Sequence, residues 1–112
     1  MLMRGLARFI PPGSSVLASE RGTSDALGET RKMTAVLTTD ALLIATAVRT
    51  RTVLTTIQRT DIGSVERSSD TRFIVTYEDY ERAAHRSVTI DLSRHRDRAG
   101  IADRLIEGLA GG

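Results

Sequence analysis

Residues 33–48 read MTAVLTTDALLIATAV, and this stretch decides the fold class. Met33 to Thr38 is rich in Thr, Val and Leu, side chains that suit a half-buried pleated surface. Thr39-Asp40 interrupts the run with two residues whose oxygens can accept hydrogen bonds from turn amides. Ala41 to Val48 then continues as an apolar run long enough for a buried strand. Together the two halves predict a β-hairpin. Working outward, Arg51 to Gln58 is a further Thr-rich, β-branched segment, Thr60-Asp61-Ile62-Gly63 predicts a turn, and Ser64 to Ser68 a short strand. In Arg72 to Glu78, Phe73, Val75 and Tyr77 alternate with Ile74 and Thr76, the period of a strand. An acidic loop, Glu78 to Glu81, is expected next, and Ser87 to Leu92 closes the β series through Val88, Ile90 and Leu92. Upstream, Val16 to Ser19 is a short strand, and the polar stretch Glu20 to Lys32, with Gly22 and Gly28, predicts a long loop.

After residue 92 the period changes from two to 3.6. Ile101, Ala102, Leu105, Ile106 and Leu109 form one apolar stripe, with Arg98, Asp103, Arg104 and Glu107 largely outside it, which predicts an amphipathic helix. Ser93 or Asp97 offers a cap at its start, and Gly111-Gly112 ends it. A run of strands followed by one helix predicts a mainly β (α+β) domain, not the strand–helix alternation of a parallel sheet.

The chain has 112 residues, which predicts a single core. Hydrophobic residues make up 40% and charged residues 27%, values that argue against wholesale disorder and against a membrane-embedded chain. With no cysteine, disulfides, thiolate metal sites and a cysteine nucleophile are excluded. Fifteen arginines and one lysine, Lys32, face fourteen acids, for a net charge of +2. That is far from the positive field of a dedicated nucleic-acid binder, and two Phe, two Tyr and no Trp leave few platforms for stacking bases. Nucleic acid is therefore not an expected partner.

Residues 1–13 are read apart from the domain that follows at 14–112. On a helical wheel Leu2, Met3, Leu6, Phe9 and Ile10 share one arc, with Arg4 and Arg8 opposite, and Pro11-Pro12 ends the pattern. The segment has neither the long apolar stretch of a secretory signal nor the roughly 20 apolar residues of a membrane span, so a cytoplasmic placement is expected, with membrane-peripheral contact as the variant. A helix so short must dock on something. Its own domain, a second subunit and a membrane surface remain open as its partner.

Two short motifs carry a family likeness. Residues Ala35-Val36-Leu37-Thr38-Thr39-Asp40-Ala41-Leu42-Leu43-Ile44 and Thr60-Asp61-Ile62-Gly63-Ser64-Val65, in a chain of strands ending in a helix, resemble the small bacterial pleckstrin-homology-like (PH-like) domains over about residues 14 to 110. The resemblance implies a seven-stranded, bent sandwich or partly open barrel capped by the C-terminal helix. It also implies binding and not catalysis, the family's members being lipid-, peptide- or protein-docking scaffolds. Eukaryotic relatives of the fold bind phosphoinositides through basic residues between their first two strands. Here that stretch, about residues 19 to 34, sets Arg21, Arg31 and Lys32 against Glu20, Asp25 and Glu29 and is net zero, which departs from the basic pattern. In the second motif, Ile62 and Val65 are read as anchors on either side of a turn in which Gly63 permits an unusual φ.

Catalytic chemistry has no nominee. His85 and His95 do not stand in a ligand-spaced cluster, and His95-Arg96-Asp97 matches the start of a kinase catalytic loop without its downstream asparagine or a glycine-rich phosphate loop. No catalytic residue, metal ligand or cofactor is expected. Charge is more informative by segment. Residues 46–60 hold Arg49, Arg51 and Arg59 and no acid, for +3; residues 61–81 hold six acids, Glu78, Asp79 and Glu81 among them, and two arginines, for −4. Opposed neighbouring blocks suit self-association, the basic hairpin of one subunit meeting the acidic loop of the next. They equally suit weak contact of Arg49 and Arg51, with Arg4 and Arg8, on anionic lipid. The expected function is a protein-interaction module that forms homo-oligomers, with a peripheral membrane module as the alternative.

Overall fold

Residues 33–48 form the expected hairpin, and the other strands are added to its two sides. The computed structural model describes residues 13–69, 71–80, 82–92 and 100–111. In chain order the elements are β1 (Val16–Ser24), β2 (Arg31–Thr38), β3 (Ala41–Val48), β4 (Arg51–Gln58), β5 (Ile62–Arg67), β6 (Arg72–Asp79), β7 (Ala84–Asp91) and α1 (Ile101–Gly111), with a 3-10 turn at Arg59–Asp61. All pairings are antiparallel, in one seven-stranded sheet ordered β4-β3-β2-β1-β7-β6-β5. The sheet is open: β4 and β5 are its edges.

The core shows how that sheet bends. Laid flat, β3 and β6 would stand four inter-strand steps apart, about 19 Å. Yet Leu42 and Ile44 of β3 belong to the same buried cluster as Phe73 and Val75 of β6, joined by Leu37, Ile57, Val88, Ile90 and Leu92. The sheet must therefore curl over one core, and α1 completes it with Ile101 and Leu105. Burying each such Leu, Ile or Phe is worth roughly 1.5–3 kcal/mol. The two halves of the sheet meet where β1 pairs with β7, a junction of two residue pairs, Thr23↔Asp91 and Ser24↔Ile90.

Four expectations are corrected. The stretch Glu20 to Lys32 is not a long loop: β1 runs on to Ser24 and β2 begins at Arg31, leaving 25–30 as the connection. Its polar composition misleads because the ladder from Val16↔Thr38 to Ser24↔Arg31 satisfies the backbone whatever the side chains, and the buried positions near the bend are filled by Gly22 and Ser24. Ile62 and Gly63 are already in β5, next to a register shift between Ile62 and Ser64, and Gly63 is not among the positive-φ residues. The bulge absorbs the irregularity without a left-handed residue. Glu78 and Asp79 lie in β6, and β7 begins at Ala84, so the connection there is a tight turn. In the β2–β3 turn it is Thr38, not Thr39-Asp40, that serves the amides: its Oγ1 accepts from the N–H of Asp40 at 3.2 Å and of Ala41 at 3.0 Å. Thr39 Oγ1 instead accepts from the Ser15 N–H at 3.0 Å, tying the start of the described chain to this turn.

The N-terminal amphipathic segment and the proposed caps Ser93 and Asp97 lie outside the described residues. Among the described residues no helix is long and apolar enough to cross a membrane.

Gly22 is the residue the bend cannot replace. A β-carbon there would collide with the Asp91 carbonyl oxygen and lie 2.8 Å from Leu92 Cδ2. Gly22→Ala is expected to destabilise the chain by about 3 kcal/mol, the upper range for forcing volume into a packed site. Gly63→Ala, whose new β-carbon would meet only the Thr76 carbonyl at 3.7 Å, is expected to change stability by about 0.5 kcal/mol or less. Urea unfolding followed by circular dichroism measures both; equal effects would show that the junction is not tight.

Candidate functional site

Because β4 is an edge and the sheet curls, its free side faces the far end of the β6–β7 hairpin. Between them lies a cleft of about 730 Å3. One wall is Val53–Ile57 of β4; the other is Tyr77–Tyr80 with Arg82 and Arg86; Asp61 and the loop at Ala26–Gly28 complete the lining.

Each wall is held in place by local hydrogen bonding. Asp25 pins the loop: its Oδ1 accepts from the Thr89 N–H at 2.8 Å, and its carbonyl accepts from the Gly28 N–H at 2.9 Å. Gly28 has φ +91°, the left-handed region open to glycine. Opposite, Asp79 organises the β6–β7 turn. Its Oδ1 accepts from the Arg82 N–H at 3.3 Å, and its Oδ2 pairs with Arg86 at 3.5 Å and Arg82 at 3.9 Å. Glu78 faces His85 across the strands at 3.8 Å. Leu27 and Tyr80, respectively 38% and 71% exposed, belong to the cleft lining as large hydrophobic side chains open to solvent. Tyrosine is among the residues that most often anchor a docked chain.

The sequence-nominated residues do not form one surface. Arg49 and Arg51 stand at the β3–β4 turn, exposed and without an ion-pair partner among the described residues. Arg59 is at the other end of β4, roughly 26 Å of strand away. There its N–H donates to the Asp40 carbonyl at 2.9 Å and its guanidinium to the Thr39 carbonyl at 3.4 Å, so it braces the β2–β3 turn. Glu78 and Asp79 are brought together in the cleft wall, with Asp79 largely neutralised by two arginines. Glu81, Leu2, Leu6, Phe9, Ile10, Arg4 and Arg8 lie outside the described residues, as does His95. Sequence reasoning missed Leu27, Asp61, Tyr80 and Arg86. Only Leu27 carried a local signal, an apolar residue beside a glycine in an otherwise polar connection.

Arg49 is also held in a costly conformation. Its φ is +55°, at the first position of a two-residue hairpin turn between the paired Val48 and Arg51. A non-glycine residue there costs roughly 1–2 kcal/mol. Among the described residues no three His, Asp or Glu side chains cluster as metal ligands.

No protein-family model matches the chain, and no curated protein is significantly similar to it.

The cleft contains a spectroscopic handle. A side-chain hydrogen bond to Glu78 and the charge of that carboxylate hold the Tyr80 phenol above its ordinary value of 10.0, with slight desolvation and Asp61 acting in the same direction. The phenolate would be repelled by Glu78, so the proton leaves at higher pH. In a Tyr77→Phe background, where Tyr80 is the sole tyrosine, Glu78→Gln is expected to lower the midpoint of the phenolate absorbance titration. An unchanged midpoint would show that the two side chains do not meet in solution.

Proposed function

We propose that this chain is a non-enzymatic binding module of the PH-like, bacterial type, working in the cytoplasm, that docks protein segments and associates with further copies of itself. The observation that carries the reading is the free edge of β4 forming one wall of an open cleft. An edge strand offers unpaired N–H and C=O groups, so an extended segment can add to it by main-chain hydrogen bonds. Leu27 and Tyr80 supply apolar anchors at the same place, and charged groups of both signs, Asp61, Glu78, Arg82 and Arg86, supply orientation. The PH-like assignment draws on the two sequence motifs, on the order of seven strands followed by a helix, and on a curled, open sheet with the helix against its core.

Self-association draws on Arg49 and Arg51. Both are exposed, neither is neutralised by a described neighbour, and Arg49 keeps a backbone conformation that glycine would adopt at lower cost. A guanidinium placed there at the expense of strain is accounted for by a contact outside the subunit. Glu78, with Glu81 beside it in sequence, provides the opposite charge on the next copy, in the head-to-tail arrangement that closes into a ring or runs on as a filament. The competing reading, a peripheral membrane module holding anionic lipid through Leu2, Leu6, Phe9 and Ile10 with Arg4, Arg8, Arg49 and Arg51, predicts no dependence of the subunit number on Glu78.

Light scattering coupled to size exclusion tests the proposal. At low salt the mass is expected to exceed the 12.2 kDa of one chain and to fall toward it at high salt, since exposed ion pairs are screened. Glu78→Lys is expected to give monomers at low salt. Arg49→Gly is expected to do the same while leaving stability unchanged or raising it by about 0.5–1 kcal/mol, because strain is relieved. A monomer at every salt and concentration overturns self-association, and sedimentation with anionic vesicles by such a monomer would favour the membrane module.

A further inference from the structure

The curled sheet has a second buried face. Along β2 and β3, residues facing the main core alternate with Val36, Ala41, Leu43 and Ala45, which form a separate cluster with Leu54 of β4 packed against it. The register places Val36 opposite Leu43 and Ala45 opposite Leu54, so these side chains share the outer face of the sheet. Val36 is 0% exposed and Leu43 3%, whereas Thr52, Thr56 and Gln58 on the same face of β4 are exposed. Side-by-side neighbours on a single sheet cannot close off a valine and a leucine; a layer of chain must lie over them.

Among the described residues nothing supplies that layer. Helix α1 contributes Ile101 and Leu105 to the inner core and packs on β5 and β1. Residues 93–99 join Leu92 to Gly100, and both Leu92 and Ile101 belong to the inner core, so that link begins and ends on the wrong side. Residues 1–12 remain. The described chain starts beside the strip: Ser15 exchanges hydrogen bonds with Thr39 in the β2–β3 turn, at 3.0 Å to its Oγ1 and 2.9 Å from its N–H, next to Ala41. Among the described residues the hydroxyls of Ser14, at that entry point, and of Thr34, opposite Ala45, are buried without a hydrogen-bond partner, as is that of Thr46 on the inner face.

We infer that the outer face of β2 and β3 is a docking strip occupied by the chain's own N-terminal segment, which lies outside the described residues, through Leu2, Leu6, Phe9 and Ile10. The dimensions agree. From Ala41 to Ala45 the strip spans roughly 13 Å of strand, and a ten-residue helix of the predicted amphipathic pattern is about 15 Å long. The polarity agrees too, because Arg4 and Arg8 fall opposite the apolar arc and would face water. Small side chains, Ala41 and Ala45, flank Leu43 and leave room for Phe9 or Leu6 to seat. The strip lies on the opposite face of the sheet from the core and meets the cleft wall only along β4, at Leu54 and Thr56.

Two measurements on the full chain test it. Leu6→Asp and Phe9→Asp are expected to lower the urea midpoint and to increase binding of a hydrophobic dye, while Arg8→Asp leaves both unchanged. Since the chain has no cysteine, a second test uses paired replacements that need no apolar core change: Leu6→Cys with Ser19→Cys on one flank of the strip, or with Thr56→Cys on the other. A disulfide within one chain is expected from at least one flank, and none from Leu6→Cys with Ser87→Cys. Failure of both flanking pairs, or an unchanged midpoint in Leu6→Asp and Phe9→Asp, overturns the inference. A disulfide-linked dimer overturns it in favour of a second copy's segment. Vesicles of phosphatidylcholine and phosphatidylglycerol that bind the native chain but not Leu6→Asp, with the midpoint unchanged, overturn it in favour of a membrane.

Discussion

The close approach of Gly22 to Asp91 is the constraint on which the rest depends. Two half-sheets, β1–β4 and β5–β7, are joined through only two residue pairs, and the backbone of β1 passes so near the Asp91 carbonyl that no side chain fits between. A longer β1–β7 ladder would hold the halves in one gently twisted plane. With the ladder cut short, each half turns its apolar face toward the other, and Leu42, Ile44, Phe73 and Val75 can meet in one cluster. The same bend decides where the sheet fails to close. It leaves β4 and β5 as edges, linked by a 3-10 turn, and the cleft lies between the free side of β4 and the far end of the β6–β7 hairpin.

Burial is distributed unequally between the halves. Ala41 to Thr46 is buried at six consecutive positions, the mark of a strand covered on both faces, whereas β6 and β7 alternate buried with partly or fully exposed residues. Two-sided burial changes what fixes the register of β2 and β3: a one-residue slip would exchange one apolar set for another instead of exposing it, so packing volumes must distinguish the two. Met33, Ala35, Leu37, Leu42 and Ile44 on one face, against Val36, Ala41, Leu43 and Ala45 on the other, supply that distinction: the inner set is on balance the bulkier.

What could be read from the sequence follows from the range of the forces involved. The limits of β3 and β4 were legible to the residue because apolar content, β-branching and turn chemistry all change at the same positions, and Phe73, Val75, Val88 and Ile90 announced their buried face by alternation. The second half of β1 was not legible. Its residues Glu20 to Ser24 owe their strand conformation to partners on β2 seven to fifteen positions away in sequence, and Gly22 sits there for a contact with Asp91 that no local pattern encodes. The strand order shares that cause. The cleft was half visible: Glu78 and Asp79 stood out as charge, but its other walls come from three separate stretches that only the bend assembles. Gly63 shows the converse error, a local reading of glycine as a left-handed turn where a bulge in β5 does the work.

The segmental charges also change meaning once paired. As sequence blocks, +3 and −4 appear balanced and mutually attractive. In the fold part of the acidic side is answered from within: Asp79 pairs with Arg82 and Arg86 and Glu78 lies 3.8 Å from His85, while beyond that block Asp91 pairs with Arg72 and Asp103 with Arg67. The basic side is divided, Arg59 turning to backbone carbonyls while Arg49 and Arg51 stay exposed at a strained turn. Exposed arginines with no described counter-ion remain well hydrated, so an incoming carboxylate displaces only water there, whereas at Asp79 it would have to displace existing pairs. The electrostatic demand of this surface is therefore for an acidic group at the β3–β4 turn, and a carboxylate such as Glu78, which no arginine pairs among the described residues, meets it at lower cost than Asp79.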